Sequence, residues 1–469
     1  SDDALRKSVS FSKDFALATV GSIDLASLLE RRSITHFVND AGEEVADYTE
    51  TYKKSTTQLR SVSVNFYEGD KRAIASTSDD ALRKSVSFSK DFNLGTVDLI
   101  DLNSLLERRS ITHFVNDAGE EVADYTETYK KSTTQLRSVS VNFYEGDKRA
   151  IASTSDDALR KSVSFSKDFN LATVGSIDLA SLLERRSITH FVNDAGEEVA
   201  DYTETYKKST TQLRSVSVNF YEGDKRAIAS TSDDALRKSV SFSKDFALAT
   251  VGSIDLASLL ERRSITHFVN DAGEEVADYT ETYKKSTTQL RSVSVNFYEG
   301  DKRAIASTSD DALRKSVSFS KDFNLATVGS IDLASLLERR SITHFVNDAG
   351  EEVADYTETY KKSTTQLRSV SVNFYEGDKR AIASTSDDAL RKSVSFSKDF
   401  ALATVASIDL ASLLERRSIT HFVNDAGEEV ADYTETYKKS TTQLRSVSVN
   451  FYEGDKRAIA STSDDALRK

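Results

Sequence analysis

SDDALRKSVSF occupies residues 1–11, and the same eleven letters return at 78–88, 155–165, 232–242, 309–319 and 386–396. A shorter copy, SDDALRK, fills 463–469. Each step is 77 residues. A fixed period of this kind is the signature of units that stack on one another, and it governs every other reading of the chain. The repeats are 1–77, 78–154, 155–231, 232–308, 309–385 and 386–462, with 463–469 as the start of a seventh copy. Sharing one segment at both ends is expected of a piece of a longer polymer, or of a concatemer of one small oligomer-forming domain.

Two signals lie within the motif. Ser78-Asp79-Asp80 followed by Arg83-Lys84 has the charge order of a brief helical turn, acids first and bases last. After it, Val86 and Phe88 alternate with Ser85, Ser87 and Ser89, the period of a strand with one apolar and one polar face. Upstream, Val62, Val64 and Phe66 alternate with Ser61, Ser63 and Asn65 in the same way. A hairpin is expected there, pairing 57–67 with 71–77 around Glu68-Gly69-Asp70. An earlier hairpin joins 34–38 to 45–52 through Asn39-Asp40-Ala41-Gly42, a loop whose glycine tolerates positive φ. Along 45–52, Ala46, Tyr48 and Tyr52 share one face, and Asp47, Thr49 and Thr51 the other.

Between strand and hairpin lies SIDLASLLERR, residues 22–32, read as the main helix. Ser22 caps it, Asp24 sits in the first turn, Arg31 and Arg32 close the last, and Leu25, Leu28 and Leu29 form one stripe for packing on a sheet. The expected fold is therefore an α+β tandem repeat: six modules, each an antiparallel sheet with one short helix plus a helical turn, stacked as a rod or closed into a ring. A unit this small buries only ~60% of its unfolded surface, so neighbours are expected to complete one another's cores. SDDALRK and the strand after it, with Val86 and Phe88, are the expected seam, because an added strand satisfies a neighbour's open edge.

Composition is one 77-residue sample counted six times. With no Cys, neither disulfides nor thiolate metal sites exist, and the redox compartment is left open. The net charge of −13 is spread as interleaved acids and bases, without the basic stripe that nucleic acid requires. No apolar run approaches the ~20 residues of a membrane helix, so no membrane span is expected.

Candidate chemistry is sparse. Each repeat has one histidine (His36, His113, His190, His267, His344, His421), flanked by Thr and Phe within a strand. A lone imidazole without clustered ligands reads as structural rather than metal-binding, unless a closed ring gathers six of them. Tyr48, Tyr52 and Tyr67 recur in every repeat and seal a core or seam, or else form an aromatic binding stripe. Asn39 to Glu44 is an acidic turn without the alternating oxygen ligands of a calcium loop. No phosphate-binding, dinucleotide-binding, hydrolase-elbow or zinc-protease pattern occurs. No cofactor and no small-molecule ligand is implied. The repeats differ only in the segment between Ala16 and Ala26: the first position runs Ala16, Asn93, Asn170, Ala247, Asn324, Ala401, and Gly21 is matched by Asp98 in the second repeat and Ala406 in the sixth. The expected function is a non-catalytic structural scaffold that self-associates through repeat seams or chain ends. The alternative is a multivalent binder or adhesin presenting six copies of one weak site.

Overall fold

The computed structural model describes residues 3–12, 15–386, 388–427, 429–461 and 467–468, so the seventh copy of the motif lies outside the described residues except at Leu467–Arg468. The chain forms two compact units, residues 1–211 with 227–233, and residues 212–226 with 234–469. The same strand pattern recurs in each.

At the start of the first unit the strands are β1 (Lys7–Phe11), β2 (Arg31–Val38), β3 (Val45–Tyr52), β4 (Leu59–Tyr67), β5 (Lys71–Arg72), β6 (Leu82–Phe88), β7 (Arg108–Val115), β8 (Val122–Tyr129) and β9 (Leu136–Tyr144). All pairings are antiparallel, and β1, β2, β3, β4, β6, β7, β8 and β9 lie side by side in that order. β5 pairs only with the last two residues of β4. In the second unit the strands Leu290–Tyr298, Leu313–Ser320, Arg339–Val346 and Val353–Tyr360 repeat the sequence of pairings made by β4, β6, β7 and β8. Among the described residues, 29 strands belong to this repeated sheet, and three short ones form a small second sheet.

Three expectations change. Residues 22–32 are not a helix, and no α-helix occurs among the described residues. A 3-10 helix spans Leu17–Ser22, turns follow, and Arg31 already begins β2. The cause is local. Asp24 Oδ1 accepts from the Ala26 amide and from Ser27 Oγ, which offers the backbone an alternative to helical bonds. Glu30 then takes φ of 61°, which ends any right-handed run. The leucine stripe does not pack as one face: Leu102, at the place of Leu25, reaches the core margin, whereas Leu106, at the place of Leu29, is 74% exposed.

Nor is 78–84 a helical turn throughout. Asp80 caps a tight turn by accepting from the Thr77 amide, and the chain is extended from Leu82. In the second hairpin, 71–77 pairs with β4 at only two positions, Phe66 and Tyr67; β6 pairs with these same two residues from the opposite side, and β3 takes the rest of the edge that β5 shares, from Val64 to Leu59. Gly69 and Asp70, with φ of 71° and 59°, make the tight bend that returns the chain as β5.

The two sheet faces differ sharply. Following the pairing across strands, one row reads Val64, Val86, Ile111, Glu127, Val139, Phe165. The opposite face reads Ser85, Thr112, Thr126, Ser140, Ser164. The apolar face is covered by the loop 89–107, whose Phe92 and Val97 are buried on it together with Val62, Val64, Phe66, Val86 and Phe88. Leu94, Ile100 and Leu102 pack at the margin of that core. Each core therefore unites residues on both sides of the 77/78 repeat boundary.

Candidate functional site

Two constellations recur in each repeat: a strand junction and a histidine cluster. At the junction, Val86 and Phe88 have no exposed surface, and β6 is hydrogen-bonded to β4 on one side and β7 on the other. Both residues thus pack on the strands before them as well as on those after them. The covering loop is tied down by Arg72. Its guanidinium grips Asp47 through three hydrogen bonds of 2.8–3.1 Å and donates through Nη1 to the carbonyls of Val97 and Ile100, at 2.8 and 3.0 Å. Arg149, Arg303 and Arg380 repeat the whole pattern. A charge pair shielded from water keeps more of its strength than a surface pair, and the planar fork suits a carboxylate while leaving a donor for backbone oxygens. Further ion pairs close the rim: Arg83 with Glu68 at 2.6 Å, and Lys84 with Asp70 at 2.7 Å.

His36 lies on β2 opposite Tyr48 of β3, and the rings stack with centroids 4.1 Å apart. Its Nε2 stands 2.7 Å from Glu50 Oε1, while the Tyr52 hydroxyl donates to Glu50 Oε2. Above Tyr52 sits the Arg31 guanidinium, 4.6 Å from the ring centroid. Glu50 is buried between Ile34 and Val62 in the apolar row. A buried carboxylate is tolerable only when its oxygens have polar partners; here the Tyr52 hydroxyl donates to one oxygen and the His36 ring stands against the other. At the equivalent Glu127, burial pushes the carboxyl pKa up, but hydrogen bonds from His113 and Tyr129 and the charges of His113 and Arg108 outweigh it, leaving it below the ordinary range. Glu204, Glu281 and Glu358 follow the same balance. Tyr48 is pushed up to about 12, first by burial and then by the Glu50 and Asp47 charges.

Tyr67 stands apart from this cluster. Its hydroxyl donates to the Ala46 carbonyl at 2.6 Å, it packs with Val45 and Ala73, and burial pushes its pKa up to about 12. Tyr48, Tyr52 and Tyr67 therefore do not line one exposed stripe: Tyr52 and Tyr67 are buried, and Tyr48 is half-buried beneath His36. Among the described residues no three His, Asp or Glu side chains gather as a metal ligand set. The carboxylate that faces His36 is Glu50. Period-two alternation puts Glu50 on the face of Tyr48 and Tyr52, a signal present in the sequence.

No described protein family matches the chain, and no curated protein matches it. Among solved structures, the crystal structures of TcdB2-TccC3-Cdc42 and TcdB2-TccC3-TEV align over 97% and 93% of this chain, each at 8% identity, with TM-scores of 0.15 and 0.14. The chain spans 28% of the length of either. Similarity at that level bears on neither fold nor function.

Proposed function

We propose that this protein is a non-catalytic structural scaffold, an array whose repeats are joined by shared cores and which self-associates through repeat seams or chain ends. The observation that carries the reading is the composite core: Val62, Val64 and Phe66 of one repeat are buried by Val86, Phe88, Phe92 and Val97 of the next. Repeats built this way stabilise one another, and stability rises with their number. The histidine cluster fits the same role, since its carboxylate is already saturated from within. Chains of one, two, three and six repeats are expected to melt at progressively higher temperature. Equal melting temperatures would mean independent beads and sink the proposal.

One observation favours the multivalent alternative. Ile74, Ile151, Ile228, Ile305, Ile382 and Ile459 are all 67–72% exposed at the same place in every repeat. A weak partner for that position would gain avidity from six copies. Replacing all six by Ser would abolish such binding while leaving the melting temperature within a few degrees.

A further inference from the structure

In the second compact unit, the strand Leu213–Tyr221 and the hairpin turn that begins at Asn424 belong to repeats three apart, and they touch. Arg214 donates through Nη2 to the carbonyl oxygen of Gly427, 213 residues further along the chain. Its Nη1 lies 3.8 Å from the place that a Cβ on Gly427 would take. The contact is separate from the strand ladder, which joins each repeat to the one after it.

Each partner is positioned by its own surroundings. Asn424 takes φ of 76°, and its side-chain amide donates to the carbonyls of Ala458 and Ser461, each at 3.1 Å. Gly427 also has φ of 76°, a conformation that glycine adopts without strain and that lets the guanidinium approach the backbone. On the other side the ladder supplies a bulge. At the matching place one repeat later, Thr282 faces Ser292 and Tyr283 faces Leu290, so Arg291 is the extra residue. Bulges of this kind re-aim a side chain, and Arg214 stands in the same letters, LRSVSVNF. Arg214 is partly covered, whereas Arg291 and Arg368, at the equivalent places, are exposed. Asp425 and Ala426 are likewise partly covered, whereas Asp40 and Ala41 are exposed.

Charge favours the same pairing. The turn reads NDAGEE, with three acids, and residues 207–214 read KKSTTQLR, with three bases. A planar guanidinium bonded to one backbone oxygen keeps further donors for a carboxylate beside it. We infer that Arg214 is a receptor for an acidic hairpin turn, and that its occupant is the turn of this chain's own sixth repeat. The pair is a lateral, charge-based contact between repeats three apart. It goes beyond the scaffold reading, which rests on cores shared by adjacent repeats.

The chain has no cysteine, so Gln212→Cys with Ala426→Cys creates two unique sites for spin labels. Double electron–electron resonance on the full chain is expected to give one narrow distance between them. Arg214→Glu should lower the ratio of docked to free turns about tenfold, the factor that 1.4 kcal/mol represents, and broaden the distribution. Arg291→Glu makes the same change at an exposed place and should leave the peak as it is. Adding Asp425→Lys to Arg214→Glu should restore the peak. Salt at ~1 M, where the screening length is ~3 Å, should broaden it in the parent. Arg214→Gln removes the charge without reversing it and reads the same distance should the reversal disturb the fold. A broad distribution in the parent, or a peak that neither Arg214 variant alters, overturns the receptor role. A large excess of unlabelled chain should leave the peak in place; its loss would assign the contact to a second copy and overturn the intrachain occupant. Melting of chains with different numbers of repeats tests the scaffold reading separately, so either can fail alone.

Discussion

LRSVSVNF is written at 290–297 and again at 444–451, yet the two copies live in different surroundings. In the first, Val293, Val295 and Phe297 are sealed by Val317, Phe319 and Phe323. In the second, the equivalent valines and Phe451 are about half exposed, and the strand breaks after Val449. An identical sequence gives a continuous nine-residue strand in one place and a six-residue strand plus a two-residue one in the other. What differs is the neighbour. Alternation specifies which face is apolar, but only a strand on the free edge and a loop across that face turn it into a core.

The largest expected effect contrasts these two copies. Phe297→Ala empties a fully closed site and should cost about 3 to 5 kcal/mol. Phe451→Ala, at an open edge, should cost about 0.5 kcal/mol or less. Hydrogen exchange of the surrounding strand amides measures both, and equal losses would show that the edge is as well packed as the interior.

The arginine clamp sharpens the same contrast at a smaller scale. Arg303→Gln strands Asp278, which is mostly buried, and releases the carbonyls of Val328 and Ile331, so about 3 kcal/mol is expected. Arg457→Gln removes a pair in which the arginine is nearly half exposed, and should cost no more than about 1 kcal/mol. Melting curves of the two single variants decide between a clamp that depends on its neighbour and one that does not.

Acid should act through the inner clusters. Because the Glu281 carboxyl is held below its ordinary range in the folded chain, the stability it supplies is complete above the unfolded value of about 4.3 and is lost as pH falls through the lower folded value. The same sign holds at Glu127, Glu204 and Glu358. Glu281→Gln should lower stability at pH 7 by about 1 kcal/mol and flatten its decline between pH 5 and 3. An unchanged slope would mean that the His267–Glu281 contact of 2.7 Å contributes nothing to acid sensitivity.

These contrasts also explain what could be read from the letters alone. The strand positions 34–38, 45–52 and 59–67 are legible in the sequence because alternation is local and one face is buried, although the first strand already begins at Arg31. The helix over 22–32 was misread because Leu25, Leu28 and Leu29 have helical spacing, while Asp24 and Ser27 bond to each other and to the turn between them. Val86 and Phe88 read as strand residues, but the pairing of β6 with β4 joins segments of different repeats, and the brevity of β5 follows from β3 holding the rest of its edge. Arg72 carried no local signal, because its partners are 25 and 28 residues away, and Asp47 lies equally far behind it. Glu50 was visible in the alternation and gains meaning only once His36 is placed across from Tyr48.

The smallest effect is expected where the repeats themselves vary. At the first residue before the 3-10 helix, Asn93, Asn170 and Asn324 accept through their side chains from the amide two residues on, at 3.0–3.1 Å. Ala16, Ala247 and Ala401 hold the same position without any side-chain bond. The backbone is extended in both cases, with φ of −83° at Asn170 and −81° at Ala247, so exchanging the side chains requires no change of path. A capping side chain satisfies an amide at a helix start and is typically worth about 1 kcal/mol, less where water reaches the amide. Ala247→Asn should therefore stabilise its own covering loop by about 0.5 kcal/mol, and Asn170→Ala should destabilise its loop by a similar amount. Exchange of the Ala249 amide in the first variant, and of the Ala172 amide in the second, reads the effect directly. If both amides exchange as in the parent, the difference among repeats has no energetic consequence for the loop that closes each core.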